Sequence, residues 1–225
     1  MVLSFISHPS PNFDDREIPV EFLVLHYTAV DLQGTLDIVS SKRCEVSAHL
    51  VIDLDGTVYE LVSCLNGTAH RAWHAGVSRW QEKETFNDFA IGIELVNYNG
   101  NVFPFTDAQY SALKDVIQHL QKHYPSLNDP QRILGHEQIA GFRGKADPGC
   151  HFDWDRFFSD SYPDQPRPVR ESVCPKELQA SLKKLQPLEP EDRDQRVLFW
   201  QSINELTETS VRLIQKEAGS RSQSQ

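Results

Sequence analysis

Three side chains in separate segments carry the groups of a metal site. His26 and His136 provide imidazoles, and Asp147, 11 residues after His136, provides a carboxylate. Two neutral imidazoles and one carboxylate fill three corners of a tetrahedral zinc ion and leave the fourth for water or a substrate oxygen. An open fourth corner is typical of catalytic zinc. On spacing alone, a polar network that orders the loops is the alternative.

Glu94 and Lys145 could supply the proton-transfer and electrostatic groups of such a site. Glu94 is the single charge in the apolar segment 90–96. A carboxyl group partly removed from water has a raised pKa, which suits a general base. Lys145 lies two residues before Asp147, where its ammonium could stabilise a developing oxyanion. The structural alternatives are an ion-paired Glu94 and a solvated Lys145.

Short apolar runs predict the strands that position these groups. Residues 22–25 and 132–135 each predict a strand that ends directly before a histidine. Residues 90–96 predict a third strand, which carries Glu94. The proline after Asp147 favours extended geometry at that residue, so we expect the third ligand on a loop.

Turn and capping signals complete the predicted sheet and place a helix on it. Residues 48–62 contain two β-prone runs around Asp55-Gly56, a pair that suits a tight turn, and therefore predict a hairpin. Thr106 and Gln109 form a capping box before a helical pattern that Pro125 ends. Together these elements predict a mixed α/β fold, with a central mixed β-sheet flanked by helices.

The chain divides into three predicted parts. Its 225 residues can bury one substantial core plus an appendage, and we expect one catalytic domain in residues 1–160. Residues 161–175 contain four prolines and predict a linker or strap. Residues 176–225 carry apolar side chains at helical spacing, among them Leu185 and Trp200, and predict a helical extension with a frayed tail. These helices could pack on the catalytic domain, bind a partner or self-associate.

Composition and cysteine spacing limit the possible partners and cross-links. The hydrophobic fraction of 39% is typical of a folded globular chain. A formal net charge of -10 without a basic stripe argues against nucleic acid as a ligand. The four cysteines lack close pairing and predict free thiols, with two disulfides in an oxidising compartment as the alternative. They are Cys44, Cys64, Cys150 and Cys174.

The first residues and the lengths of the apolar runs predict a cytoplasmic protein. The start of the chain has neither the basic region nor the small-residue cleavage site of a signal peptide. No stretch approaches the roughly 20 apolar residues of a membrane span. A periplasmic or exported form is the alternative.

Seven short motifs between residues 8 and 158 point to a family. They are Leu25-His26-Tyr27-Thr28-Ala29, Ser47-Ala48-His49, Ala72-Trp73-His74-Ala75-Gly76, Asn87-Asp88, Ile91-Gly92-Ile93-Glu94-Leu95, Gly135-His136 and Lys145-Ala146-Asp147-Pro148-Gly149. Together they resemble the zinc-dependent N-acetylmuramoyl-L-alanine amidases of the amidase-2 type, the AmpD- and AmiD-like enzymes of bacteria.

The resemblance implies a fold, an activity and a set of site residues. The fold is the amidase-2 fold shared with peptidoglycan recognition proteins. His26, His136 and Asp147 would bind one zinc ion, and Glu94 and Lys145 would be catalytic. The implied reaction is hydrolysis of the amide between N-acetylmuramic acid and L-alanine. Its substrates would be peptidoglycan fragments or muropeptides, including the 1,6-anhydro-muropeptides of cell-wall recycling.

Substrate choice is less determined than chemistry. The residues after His26 resemble the AmiD-like branch, whereas segment 71–78 resembles the cytoplasmic recycling branch. That segment has the small residues and aromatics of a ligand groove, with an ordered surface loop as the alternative. The competing functions are a recognition module without hydrolysis and a zinc peptidase acting within the stem peptide. The candidate substrate-binding residues are Tyr27, Arg71, Trp73 and His74.

Overall fold

The computed structural model describes residues 4–170, 172, 174–182, 184 and 192–222. Leu185 of the predicted extension and the last three residues of the predicted tail, 223–225, lie outside them. The strands are β1 (Ile6–Ser7), β2 (Phe13–Glu17), β3 (Phe22–Tyr27), β4 (Leu50–Ile52), β5 (Val58–Glu60), β6 (His70–Ala72), β7 (Arg79–Trp80), β8 (Lys83–Glu84), β9 (Ala90–Leu95) and β10 (Ile133–Gly135). The α-helices are α1 (Leu32–Ser40), α2 (Asp107–His123), α3 (His136–Ala140), α4 (Trp154–Ser161), α5 (Lys176–Leu182) and α6 (Arg193–Ser222).

A six-stranded mixed sheet forms the centre of the fold. Its strand order is β1-β5-β4-β9-β3-β10. The β4–β5 pair is antiparallel, and the other neighbouring pairs are parallel. Strand β3 lies between β9 and β10, and its residues Leu23, Val24 and Leu25 are fully buried. This burial on both faces explains why the strand is apolar throughout, and the predicted mixed sheet is confirmed.

Alternate side chains of the sheet contact helices on opposite faces. On β4, Leu50 and Ile52 belong to the main core with Leu113 of α2, whereas Val51 packs in a second cluster with Val39 of α1. Because successive strand residues point to opposite faces, α1 and α2 cover the two sides of the sheet. The predicted flanking of the sheet by helices is therefore confirmed.

The predicted hairpin and the main predicted helix form as expected. Gly56 joins β4 to β5 with φ of 86°, a value that other residues rarely adopt. The Thr106 and Gln109 capping box begins α2, which ends at His123, two residues before Pro125. Helix α1, in contrast, was not predicted from the sequence, although Asp31 caps its N-terminus by accepting from Gly34.

The chain after α4 packs back against the segment that leads into β10. Arg170 donates hydrogen bonds to the backbone carbonyls of Pro130, Gln131 and Ile133. Two helices, α5 and α6, follow as predicted, and Ile203 of α6 is buried in a cluster with residues of the site loop described below. The domain boundaries near residues 160 and 175 stay predictions, as does association through these helices.

The cysteines and the polarity of the helices bear on two further predictions from the sequence. The four cysteines are thiols, with Cys44 exposed and the other three buried. Among the described residues, every helix is too short or too polar to cross a bilayer.

Candidate active site

Three neighbouring parallel strands, β9, β3 and β10, end at one edge of the sheet. His26 of β3 pairs in register with Glu94 of β9. On the other side, Leu25 pairs with Gly135, so His136 follows directly beyond the end of β10. Because residues in register on parallel strands point to the same face, His26 and Glu94 lie side by side. The sheet alone thus brings two imidazoles and a carboxyl group together.

The loop that carries Asp147 is fixed by an asparagine on the facing loop. The Asn101 side-chain amide donates to the carbonyl of Ala146 at 3.1 Å, and its carbonyl accepts from the backbone N–H of Cys150 at 3.1 Å. The backbone N–H of Glu137 donates to the Asp147 carbonyl at 2.8 Å. Asp147 therefore lies on an irregular segment whose backbone is held at three points. Sequence reasoning missed Asn101.

His26, His136 and Asp147 converge with one ligand atom each. The Nδ1 atoms of His26 and His136 are 3.0 Å apart, and Asp147 Oδ2 lies 2.9 and 3.0 Å from them. All three residues are buried. Ligand atoms around a tetrahedral zinc are separated by about 3.3 Å, given bonds of roughly 2.0–2.1 Å. The triangle therefore has nearly the dimensions of three zinc corners.

Hydrogen bonding of His136 shows what kind of group this triangle suits. Its Nε2 lies 3.3 Å from the carbonyl oxygen of Ala75, which can only accept. A neutral His136 ring therefore carries its hydrogen on Nε2 and a lone pair on Nδ1. That lone pair faces the Asp147 carboxylate at 3.0 Å. Two electron-rich atoms at this distance repel unless a proton or a cation lies between them, so the donor set fits a metal ion.

Burial sets the charges of the cluster. Removal from water, followed by the neighbouring His136, lowers the pKa of His26 to about 4. Burial alone would raise the pKa of Asp147, but His136 and His26 lower it below its ordinary value. At neutral pH the site therefore presents a neutral imidazole and an ionised carboxylate, which are the forms that bind metal ions.

Glu94 is a half-buried residue of β9 that has one carboxyl oxygen enclosed by the fold. Its Oε2 has no hydrogen-bond partner among the described residues. Burial, and then the Asp147 carboxylate, raise the pKa of Glu94 to about 8, against a smaller lowering by Lys145. A carboxyl group that titrates near neutral pH can both accept and return a proton.

Lys145 lies at the open side of the cluster. Its side chain is exposed, and its backbone N–H donates to the carbonyl of Ala140 at 3.3 Å. The ammonium acts on both sides of the site, because it lowers the pKa of His26 and that of Glu94. An exposed cation close enough to act on both residues could also contact a substrate oxygen.

Of the four candidate substrate-binding residues, Tyr27 is adjacent in sequence to the candidate ligand His26. It follows His26 at the end of β3 and is half-buried. Its side chain is hydrogen-bonded to Asn101, and burial and the Asp147 carboxylate raise its pKa. Tyr27 is therefore a neutral phenol beside the candidate metal ligands.

Arg71 and Trp73 are engaged in the fold. Arg71 forms ion pairs with Asp14 and Asp88, and the Trp73 indole N–H donates to Asp14 at 3.1 Å. Both side chains remain half-buried. Their polar groups thus tie β6 and the segment after it to β2, and the expectation that they contact substrate stays untested.

His74 lies behind the cluster. Its ring is 7% exposed, and its Nδ1 is 3.1 Å from Nε2 of His26. The ring thus contacts the candidate ligand His26, and the substrate contact of His74 stays a prediction. His49, next in the row, bonds only backbone groups, at His70 and Gly92.

Comparison with known proteins agrees with this geometry. Residues 16–150 match the family described as N-acetylmuramoyl-L-alanine amidase, Amidase_2. The 1,6-anhydro-N-acetylmuramyl-L-alanine amidase AmpD of Haemophilus influenzae is 39% identical over 170 residues, which cover 67% of this chain and 88% of that protein.

Two solved structures share the fold. A crystal structure of a selenomethionine AmpD derivative has a TM-score of 0.57 and 35% identity, covering 71% of this chain and 96% of its own. AmiD from E. coli, in complex with the substrate anhydro-N-acetylmuramic acid-L-Ala-D-gamma-Glu-L-Lys, has a TM-score of 0.56 and 30% identity, covering 65% of this chain and 60% of its own. With its matched segment, its sheet and its convergent donor set, this chain belongs to the amidase-2 family of N-acetylmuramoyl-L-alanine amidases.

Proposed function

We propose that this chain is a zinc-dependent amidase that acts on 1,6-anhydro-muropeptides, with His26, His136 and Asp147 as the zinc ligands. One observation carries the proposal. Two imidazole nitrogens and a carboxylate oxygen meet within 3.0 Å of one another, and Glu94, in register with His26, has a buried Oε2 without a partner among the described residues. This is the donor set of a catalytic zinc site beside a candidate base.

The three candidate ligands would leave one coordination position of a bound zinc ion open for water or substrate. When bound, zinc supplies a Lewis acid that polarises the amide carbonyl and makes water a better nucleophile at neutral pH. The three ligands together carry one negative charge, from Asp147. Zinc therefore keeps a net positive charge at the site, which favours a developing oxyanion.

Glu94 and Lys145 would divide the remaining chemistry. Glu94 accepts a proton from the attacking water and returns it to the departing alanine nitrogen, a double role that its pKa near 8 supports. A bound cation would lower that pKa further and keep the carboxylate ready as a base. The Lys145 ammonium, exposed and directed at the same site, would share the negative charge of the carbonyl oxygen.

The substrate class comes from the relatives. The name of the Haemophilus influenzae relative gives a 1,6-anhydro-N-acetylmuramyl substrate. AmiD from E. coli, of which the match covers 60%, was solved with an anhydro-muramyl tripeptide. Neutral Tyr27 at the edge of the cluster would offer this chain a hydrogen-bond donor to such a ligand. We infer that anhydro-muropeptides are accepted, with intact peptidoglycan as a second substrate to be tested.

The direct test is hydrolysis of a defined mixture. Purified protein is incubated with reduced N-acetylmuramyl and 1,6-anhydro muropeptides, with and without a chelator, and the products are read by mass spectrometry. Chelator-sensitive release of an intact stem peptide with a free alanine amine supports the proposal. Cleavage within the stem would replace it with a peptidase, and binding without release would replace it with a recognition module.

A separate experiment addresses where in the cell the protein acts. We propose the cytoplasm, where soluble muropeptides would be the substrate, as the sequence predicts. Fractionation of the source cells followed by immunoblotting tests this directly. Recovery of the chain in the periplasmic fraction would contradict it.

A further inference from the structure

The position of His74 suggests a role in the metal site that differs from substrate contact. Its Nε2 lies 3.1 Å from the carbonyl oxygen of Ala90, and its Nδ1 lies 3.1 Å from Nε2 of His26. The rings of His26 and His74 meet edge to face at 86°. His74 thus connects the back of a candidate ligand to the backbone of β9.

The Ala90 carbonyl determines the direction of both hydrogen bonds in the series from Ala90 through His74 to His26. The Ala90 carbonyl can only accept, so a neutral His74 carries its hydrogen on Nε2 and a lone pair on Nδ1. That lone pair can accept only if His26 carries its hydrogen on Nε2. His26 then has a free lone pair on Nδ1, the atom that faces His136 and Asp147. These two hydrogen bonds therefore favour the tautomer of His26 that can bind a metal ion.

Without His74 the opposite tautomer would be favoured. Asp147 Oδ2 lies 2.9 Å from Nδ1 of His26, where it attracts the same hydrogen to the wrong nitrogen. In that tautomer, however, two lone pairs would meet at 3.1 Å between His26 and His74. His74 thus opposes the pull of Asp147 on the proton that a metal ion must displace.

The surroundings of His74 are built to hold its ring in this place. A Cβ on Gly92 would lie 2.4 Å from the His74 ring, so glycine is needed there to leave room for it. The Asn87 side-chain oxygen accepts from the backbone N–H groups of His74 and Ala75 at 3.1 and 2.7 Å. Since the Ala75 carbonyl accepts from His136, the same dipeptide contacts both imidazole ligands.

We propose that His74 is a positioning residue of the metal site, which orients His26 and keeps the hydrogen of that ring on Nε2 so that Nδ1 is free for zinc. The inference rests on the proposed zinc site and assigns His74 no contact with substrate. Outer residues that orient a metal ligand typically contribute 10- to 100-fold to metal affinity.

The experiment compares two substitutions at His74 with a control. His74→Leu keeps apolar bulk without an acceptor, whereas His74→Asn places an amide oxygen near the former Nδ1. His49→Leu is the control, because His49 is also buried and packs against His74, but its ring nitrogens hydrogen-bond only to backbone groups. Zinc affinity is measured by competition with a chromogenic chelator, and circular dichroism and thermal melting report folding.

We expect His74→Leu to weaken zinc binding by about 10- to 100-fold and His74→Asn to recover most of that loss. His49→Leu should lower the melting temperature but leave zinc affinity within about threefold. Nitrogen NMR of the metal-free proteins should show a larger fraction of the Nε2–H tautomer of His26 in the wild type than in His74→Leu.

Three results would overturn the inference. They are wild-type zinc affinity in a folded His74→Leu, an equal loss in His49→Leu, and a wild-type His26 that carries its hydrogen on Nδ1. The last measurement needs no variant, so it decides the question even where His74→Leu does not fold. Because none of these readouts uses the amidase reaction, failure of the proposed activity would be seen separately.

Discussion

Replacing Glu94 by glutamine should stabilise the metal-free protein at high pH and remove most of its turnover. Glu94 is half-buried, its buried Oε2 lacks a partner among the described residues, and its pKa rises from 4.5 to about 8 on folding. Between these values the folded state holds a proton that the unfolded state has lost. Stability therefore falls by about 1.4 kcal/mol for each pH unit across that window.

The shift of Glu94 sets the size of the expected effect. Stability is fully present below pH 4.5, is lost as the pH rises, and levels off above about pH 8. The loss amounts to about 3 to 5 kcal/mol. Glutamine has nearly the same shape and does not ionise, so this part of the pH dependence should vanish in Glu94→Gln. The variant should then melt on the order of 10 °C above the wild type at pH 9.

The assay is thermal melting of chelator-treated protein from pH 5 to pH 9. All other titrating groups are common to both proteins, so the difference between the two curves isolates Glu94. Glu82→Gln is the control, because it removes an exposed carboxylate and should leave the curve unchanged. Parallel curves for Glu94→Gln and wild type would refute the claim that burial of this carboxyl group destabilises the fold.

The same variant tests the catalytic role. Loss of a general base typically lowers turnover by about 10²- to 10⁴-fold. Zinc affinity should stay near the wild-type value, since Glu94 is not one of the converging ligands. Unchanged turnover in Glu94→Gln would contradict the assignment of Glu94 as the base.

Three further predictions concern the metal, the ammonium and the site loop. Zinc at about 1,000 times its Kd should stabilise the metal-free protein by about 4 kcal/mol, and a melting temperature that zinc does not raise would contradict the site. Lys145→Ala should lower kcat by about 10²- to 10³-fold with little change in stability, because the side chain is exposed; an unchanged kcat would remove it from catalysis. Asn101→Ala should cost about 1 to 3 kcal/mol in chemical denaturation, since it leaves groups of Ala146 and Cys150 unpaired, and wild-type stability would show that water replaces them.

The sequence predicted the strands of the site better than their arrangement. Apolar runs before His26 and His136 mark strand ends from local composition alone, and both strands form there. The register that sets His26 beside Glu94 joins segments 68 residues apart. Such pairing depends on tertiary packing, which local periodicity does not contain.

One helix of the fold and one residue of the site were not predicted from the sequence, for different physical reasons. Helix α1 begins at an Asp31 cap, a signal that was present but weak in so short an element. Asn101 acts through backbone groups of a loop that is distant in sequence. The alternation of Asn97, Asn99 and Asn101 was a usable signal, because asparagines in series commonly cap turns.

The histidines show that residue type and apolar surroundings do not reveal which groups a side chain contacts. His26, His49 and His74 all lie in apolar surroundings, and their pKa values are all lowered, first by burial. What separates them is the partner of each ring nitrogen. Only a three-dimensional structure shows that both ring nitrogens of His49 bond backbone groups, whereas His74 bonds the candidate ligand His26.

The C-terminal helix, which lies beyond the family match, packs against the loop that carries Asp147. The match ends at residue 150, yet Ile203 of α6 is buried in one cluster with Ala146 and Cys150, which flank Asp147. Nearby, the Trp200 ring lies 4.5 Å from that of Tyr98. Asn101 fixes the backbone of the loop through hydrogen bonds, and α6 covers its apolar side chains. The position of Asp147 thus depends on packing from a helix outside the matched segment as well as on the sheet that holds the two histidines.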